Sequence, residues 1–280
     1  MKKTTVAALI IIISVVLKVI LNSPVRWGTA REPGIEWDDL NDEVMSLYQA
    51  GQYERGVVLG EAVLSITEKV FGSNDAHVAT SLHNLASFYT EQGEYAKAEP
   101  LYKRALGIKE KTLSPHHPDI AVSLNNLAWL HQEQGELAKA ETLHERAISI
   151  KEKSLGPNHP DLATSLNNLA GIYRIQGDYA RAEPLYERAL SLKEKALGSN
   201  HPDVARFLSN LALTYRDQSD YARAEPLYER SLSIREKSLG PNHHSVAKTL
   251  EILAAIYRET DRVAEAEKLE ERVKAIRAEE

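Results

Sequence analysis

The sequence predicts an all-α protein, a solenoid of about six antiparallel helix-turn-helix repeats, and three observations predict it. The word Leu124-Asn125-Asn126-Leu127-Ala128 returns every 42 residues, as Leu82-His83-Asn84-Leu85-Ala86, Leu166-Asn167-Asn168-Leu169-Ala170, Leu208-Ser209-Asn210-Leu211-Ala212 and the altered Leu250-Glu251-Ile252-Leu253-Ala254. A fixed period of this length marks stacked repeats. Each period carries two apolar stripes at helical spacing with a glycine between them, and the stretch Leu155-Gly156-Pro157-Asn158-His159-Pro160-Asp161 punctuates successive periods.

Residues 1–23 stand apart from the repeats. Lys2 and Lys3 precede an apolar run from Val6 to Leu21 that only Ser14 and Lys18 interrupt. As a helix, this segment would extend about 30 Å, enough to cross a hydrocarbon core. With Pro24, Gly28 and Ala30 behind it, the same run fits an export signal cleaved after Ala30. A signal peptide and a transmembrane helix both remain open, and either makes the chain exported or membrane-anchored. Residues 24–35, which contain Pro24, Gly28, Pro33 and Gly34, read as a linker. Lys2 and Lys3 against Arg26 and Arg31 leave the topology unassigned.

The repeat domain runs over 36–280, in repeats of approximately 36–72, 73–114, 115–156, 157–198, 199–240 and 241–280. In the first helix of a repeat, Leu166, Leu169, Ala170 and Tyr173 share one face, and Gly177 suits the turn that follows. The second helix has its own stripe in Tyr179, Ala182, Leu185, Ala189 and Leu192. Ala170 and Ala182 remove bulk where the two backbones cross. Gly156 suits a helix end, Asn158 or His159 can cap the next helix, Pro160 fits its first turn and Asp161 its positive end. Lys151, Glu152 and Lys153 are expected on a solvated face. The last helix, with Val263, Ala266, Leu269, Val273 and Ile276 inward, is expected to cap the array.

Composition narrows the function classes. With 34 basic and 40 acidic residues well mixed and a net charge of −6, the chain lacks the basic surface that phosphate neutralisation needs, so no nucleic-acid partner is expected. There are no cysteines, hence no thiolate metal site or cysteine nucleophile. His117, His159, His201 and His243 recur one repeat apart, too far from one another to share a metal. No phosphate loop, His-Glu-x-x-His or Gly-x-Ser-x-Gly occurs, and the glutamates recur with the repeat. The expectation is no enzyme, no cofactor and no small-molecule substrate.

The candidate binding residues lie on the first helices. Asn84, Asn126, Asn168 and Asn210 fall about 200° round the helix from the buried leucine and so form a ladder; Asn125 and Asn167 adjoin it. A carboxamide both donates and accepts, which suits it to the backbone of an extended peptide, and equally to bracing the neighbouring helix pair. Trp129 is a candidate aromatic anchor, with the smaller Gly171 one repeat on. Arg174, Arg206 and Arg216 would favour carboxylates if they face the groove.

The pattern of small and large positions resembles the tetratricopeptide repeat. In its 42-residue form, with Leu-Asn-Asn-Leu-Ala at 166–170, Gln-Gly-Asp-Tyr-Ala-Arg-Ala-Glu at 176–183 and Leu-Gly-Pro-Asn-His-Pro-Asp at 155–161, it is similar to the repeats of kinesin light chains and their bacterial relatives. The resemblance covers about 73–260. It implies a right-handed superhelical solenoid whose concave groove, lined mainly by first helices, binds a peptide or a partner's surface, and asparagines at the matching place in kinesin light chains contact cargo peptides. It does not extend to a motor-adaptor role, because residues 1–36 hold a membrane-type segment and a linker in place of a long heptad coiled coil. The expected function is a protein–protein interaction scaffold; the alternative is a structural protein that self-assembles or organises a membrane through its ends or convex face.

Overall fold

The computed structural model describes residues 37–278, so the N-terminal segment, read above as a signal or an anchor, and the linker lie outside the described residues. Among the described residues there are twelve helices and no strands. They are α1 (Trp37–Gln49), α2 (Tyr53–Phe71), α3 (Ala76–Glu91), α4 (Tyr95–Thr112), α5 (Pro118–Glu133), α6 (Leu137–Leu155), α7 (Leu162–Ile175), α8 (Tyr179–Leu197), α9 (Pro202–Asp217), α10 (Tyr221–Leu239), α11 (His244–Glu259) and α12 (Val263–Ala278). None of these is long and apolar enough to cross a membrane. The chain divides into two compact units, the first ending at Pro115 and the second beginning at His116; α1–α4 belong to the first and α5–α12 to the second.

Short turns fold consecutive helices into hairpins. Ala128, Ala170 and Ala212 on first helices and Ala140, Ala182 and Ala224 on second helices are all fully buried, because a methyl group is what the close approach of the two backbones leaves room for. Around Ala170, Ala182, Ala212 and Ala224, the residues Leu166, Phe207, Leu208 and Tyr228 build a continuous apolar core, and Ala128 and Ala140 pack with Ile172. The punctuation histidines cap the next helix: Nδ1 of His117, His201 and His243 accepts the backbone N–H two residues on at 3.2, 3.2 and 3.1 Å. Proline follows His117 and His201 at the first helical position, where no N–H is needed.

Within each unit, side chains then clip hairpins to the ones before them. Tyr173, Tyr215 and Tyr257 donate to Glu145, Glu187 and Glu229 on the preceding second helix at 3.0–3.2 Å. Arg188 and Arg230 each bond a carbonyl of the preceding loop, Pro157 or Ser199, and a carboxylate of the preceding second helix, Glu152 or Glu194. Both clips recur in the first unit, as Tyr89 to Glu61 and Arg104 to Ser73 and Glu68.

The turn between the helices of a hairpin requires a left-handed residue. Gly93, Gly135 and Gly177 hold φ of 74°, 77° and 77°, but Ser219 and Asp261 hold φ of 60° in the same place. A side chain in this region costs about 1–2 kcal/mol. Ser219→Gly is therefore expected to raise stability by about 1 kcal/mol, and urea unfolding would detect it; an unchanged midpoint would mean the serine is unstrained.

Lys151 departs from the expectation of a solvated face. It is only 7% exposed, and its ammonium donates to the Asp161 carbonyl at 2.9 Å and to Ser165 Oγ at 3.1 Å, across the seam between α6 and α7. Arg235 makes the same reach across the seam between α10 and α11, to the Ser245 carbonyl and Thr249. The long aliphatic stem fills the seam while the charged end finds fixed oxygens. At Lys193 the position of that hydroxyl is taken by Phe207, and the ammonium lies 5.9 Å from its ring centre.

Candidate functional site

In the second unit, one face of each first helix carries none of the clips just described. Along α5 it presents Val122, Asn126, Trp129 and Glu133; along α7, Thr164, Asn168, Gly171 and Ile175; along α9, Arg206, Asn210, Leu213 and Asp217. Successive members of each set are three or four residues apart, so they line one side of their helix. Val122, Trp129 and Ile175 are exposed by 44%, 38% and 49%. Exposed aromatic and branched side chains on a face with few clips are what a docking surface leaves uncovered.

The asparagines divide into two groups. Asn84 Nδ2 donates to Asn41 Oδ1 at 2.8 Å, and Asn210 Nδ2 donates to Asn167 Oδ1 at 2.9 Å, each pairing with a residue 43 positions earlier, on the preceding first helix. These amides brace adjacent hairpins. Asn167 is 7% exposed, and Asn125 is drawn inward between His144 Nδ1 at 2.9 Å and Ser165 Oγ at 2.8 Å. Asn126 and Asn168 are half-buried on the first-helix face. Asn168 makes no side-chain hydrogen bond to another described residue, so its amide is available to a ligand. The spacing of 43, visible as Asn41 with Asn84 and Asn167 with Asn210, was the signal for bracing.

The three arginines also differ. Arg174 Nη1 meets Asp217 Oδ2 at 2.5 Å, and Arg216 Nη2 lies 3.3 Å from the other oxygen of the same carboxylate. Burial opposes the Arg174 charge, but the Asp217 hydrogen bond holds the guanidinium above its ordinary value. Arg206 is exposed and extends beside the Phe207 ring, 5.1 Å from its centre. Gly171 leaves α7 bare above Tyr186: a Cβ there would lie 3.4 Å from the Tyr186 hydroxyl.

Catalytic geometry is a different matter. Among the described residues no group of three or more His, Asp or Glu side chains is placed to hold a metal ion. His144 is fully buried, and burial pushes its imidazole down to about 4, so it sits in a seam and not in a cleft open to substrate.

The profile of the tetratricopeptide repeat matches overlapping windows at 41–111, 77–153, 119–195, 161–237 and 203–279. A comparison with curated proteins found no match. Among solved structures, the chain is similar to a Podosopora anserina protein described as a kinesin light chain with nearly identical repeats, at 29% identity and a TM-score of 0.62, covering 72% of this chain and 95% of that one. It is also similar to BtubC (BKLC) from P. vanneervenii, at 26% identity and a TM-score of 0.66, covering 85% and 91%. PilW, a type IV pilus biogenesis factor, shares the fold at 18% identity and a TM-score of 0.66, covering 86% and 94%.

Proposed function

The chain belongs to the tetratricopeptide-repeat family, and on that premise we propose that it is a protein-interaction scaffold that holds an extended segment of a partner along the first-helix face of its second unit. The observation that carries this reading is the surface made by exposed Val122, Trp129 and Ile175 around the free amide of Asn168 and the bare backbone at Gly171. An apolar anchor beside a two-way hydrogen-bonding group fits a peptide, with the aromatic supplying contact area and the amide the main-chain bond. The apolar run within residues 1–23 supports placing this scaffold at or beyond a membrane.

A photo-crosslinking residue at position 168, used in cells of the source organism, tests the reading. A discrete adduct that Trp129→Ala abolishes, while the variant's melting temperature stays within about 2 °C, is the expected result. A second reading, self-assembly, is favoured by Leu197 and Leu239, exposed by 40% and 47% at matching ends of α8 and α10. Adducts from Ala196 to the chain itself, with none from 168, would replace the first reading with the second.

A further inference from the structure

Arginine straps cross the seams between the later second helices of the second unit. Arg181, Arg223 and Arg262 lie over the rings of Tyr173, Tyr215 and Tyr257, 3.8–4.1 Å from the ring centres. Each reaches back to a carboxylate of the preceding second helix, Glu141, Glu183 or Glu225, at 2.7–3.2 Å. The seam between α2 and α4 in the first unit lacks this strap. Two periods before Glu141 stands Val57, which packs on the core around Val44 and Val63 and offers no carboxylate. Two periods before Arg181 stands Lys97, whose ammonium stays with Glu94 at 3.2 Å and lies 5.4 Å from the centre of the Tyr89 ring. Here the seam opens into a cleft of about 590 Å³.

Leu64, Leu85, Pro100 and Leu101 wall the cleft, and Glu61 and Lys97 stand exposed at its rim. The cations along this seam are matched to other acids, Lys97 to Glu94, Lys103 to Glu99 and Arg104 to Glu68. Glu61 is left over: it accepts the Tyr89 hydroxyl at 2.7 Å and pairs with no cation among the described residues. Pro100 provides a further acceptor, because it has no N–H to give to the Ala96 carbonyl one turn before it, and both residues line the cleft.

We infer that this cleft is a second docking site, and that it takes a lysine side chain from a basic segment of a partner protein. The aliphatic stem lies against Leu64, Pro100 and Leu101, and the ammonium donates to Glu61 with the Ala96 carbonyl as a further acceptor. The cleft is open to solvent along its rim, which suits a segment that runs on past both ends better than a small molecule that a pocket must enclose. It uses no residue of the first-helix face proposed above and is independent of that reading.

Fluorescently labelled hexalysine, with hexaglutamine as the uncharged control, is the probe, and anisotropy is read at about 150 mM salt, where distant surface charges are screened. Hexalysine is expected to bind in preference to hexaglutamine. Glu61→Gln should weaken that binding about tenfold, the loss of one charge-assisted pair. Glu43→Gln, which removes the same charge from the exposed part of α1, should leave it within about twofold. Val57→Glu together with Lys97→Arg rebuilds the strap and should abolish the preference for hexalysine. That variant carries one more negative charge, so attraction by net charge alone would rise instead. Equal binding of the two peptides, equal losses in Glu61→Gln and Glu43→Gln, or undiminished binding by the strapped variant with the fold retained by circular dichroism would each overturn the site. Spermidine that displaces hexalysine at a matched concentration of amines would assign the cleft to free amines and overturn the peptide occupant.

Discussion

Replacing Gly56 by Ala is expected to destabilise the first unit by about 3 kcal/mol or more, at the upper end of what overpacking a core costs. Gly56 stands in α2 where other second helices carry the buried crossing alanine, such as Ala140 and Ala182. The reason is across the seam: a Cβ at Gly56 would lie 2.0, 2.3 and 2.4 Å from three ring carbons of Phe88, which is fully buried. One repeat on from Phe88 the residue is Leu130, and two repeats on it is Ile172, which packs in one cluster with Ala140. Glycine with phenylalanine and alanine with isoleucine are thus two solutions to the same space. Phe88→Ile alone should also cost stability, by opening a cavity and losing the edge contact between Tyr48 and Phe88 at 5.7 Å. The double variant Gly56→Ala with Phe88→Ile should be more stable than either single one, giving a favourable coupling in urea unfolding. Additive losses would show that the two positions do not share the space.

The periodic elements were legible in the sequence because each is a local signal. Gly177 at a left-handed turn, His201 before Pro202, and the alanine pair Ala170 and Ala182 need only their immediate neighbours to be read, and the turns, caps and crossings fall on them. Lys151 was misread because charge type says nothing of a partner ten and fourteen residues away across a seam: its oxygens belong to Asp161 and Ser165. The asparagines were half legible. Helical angle gave the side of the helix on which Asn210 sits, but not that the adjoining side of the preceding helix brings Asn167 within 2.9 Å. What singles out Asn168 is the departure from this rule. The residue 43 positions before it, Asn125, is already engaged by His144 and Ser165, so Asn168 has no amide to brace against and is left to the open face.

The His144 that engages Asn125 also makes the second unit acid-sensitive. Where α4, α8 and α10 carry Tyr102, Tyr186 and Tyr228, α6 carries His144, shorter and fully buried. Its Nδ1 donates to Asn125 Oδ1, Asn125 Nδ2 donates to Ser165 Oγ, and Lys151 donates to the same hydroxyl, so the chain of bonds already ends on a cation. Nε2 is buried with no hydrogen-bond partner. Protonation would place a second N–H there with nothing to accept it, in a buried seam that already holds the Lys151 ammonium, and burial accordingly lowers the imidazole from 6.5 to about 4. The folded value lies below the unfolded one, so as the pH falls the unfolded chain takes up the proton first. The contribution of neutral His144 is complete above about pH 6.5 and is lost progressively towards pH 4, a loss of about 3 kcal/mol for a shift of this size. His83 in the first unit is lowered to about 4 as well, by burial and then by Lys109, and titrates in the same window. The comparison must therefore be differential. His144→Gln retains a donor for Asn125 and removes the titrating group, so the stability of the wild type relative to this variant should fall by about 3 kcal/mol between pH 7 and pH 4 in urea titrations. Parallel curves across that range would mean that His144 gains its proton in the folded chain without penalty, and would remove the seam as the source of the acid sensitivity.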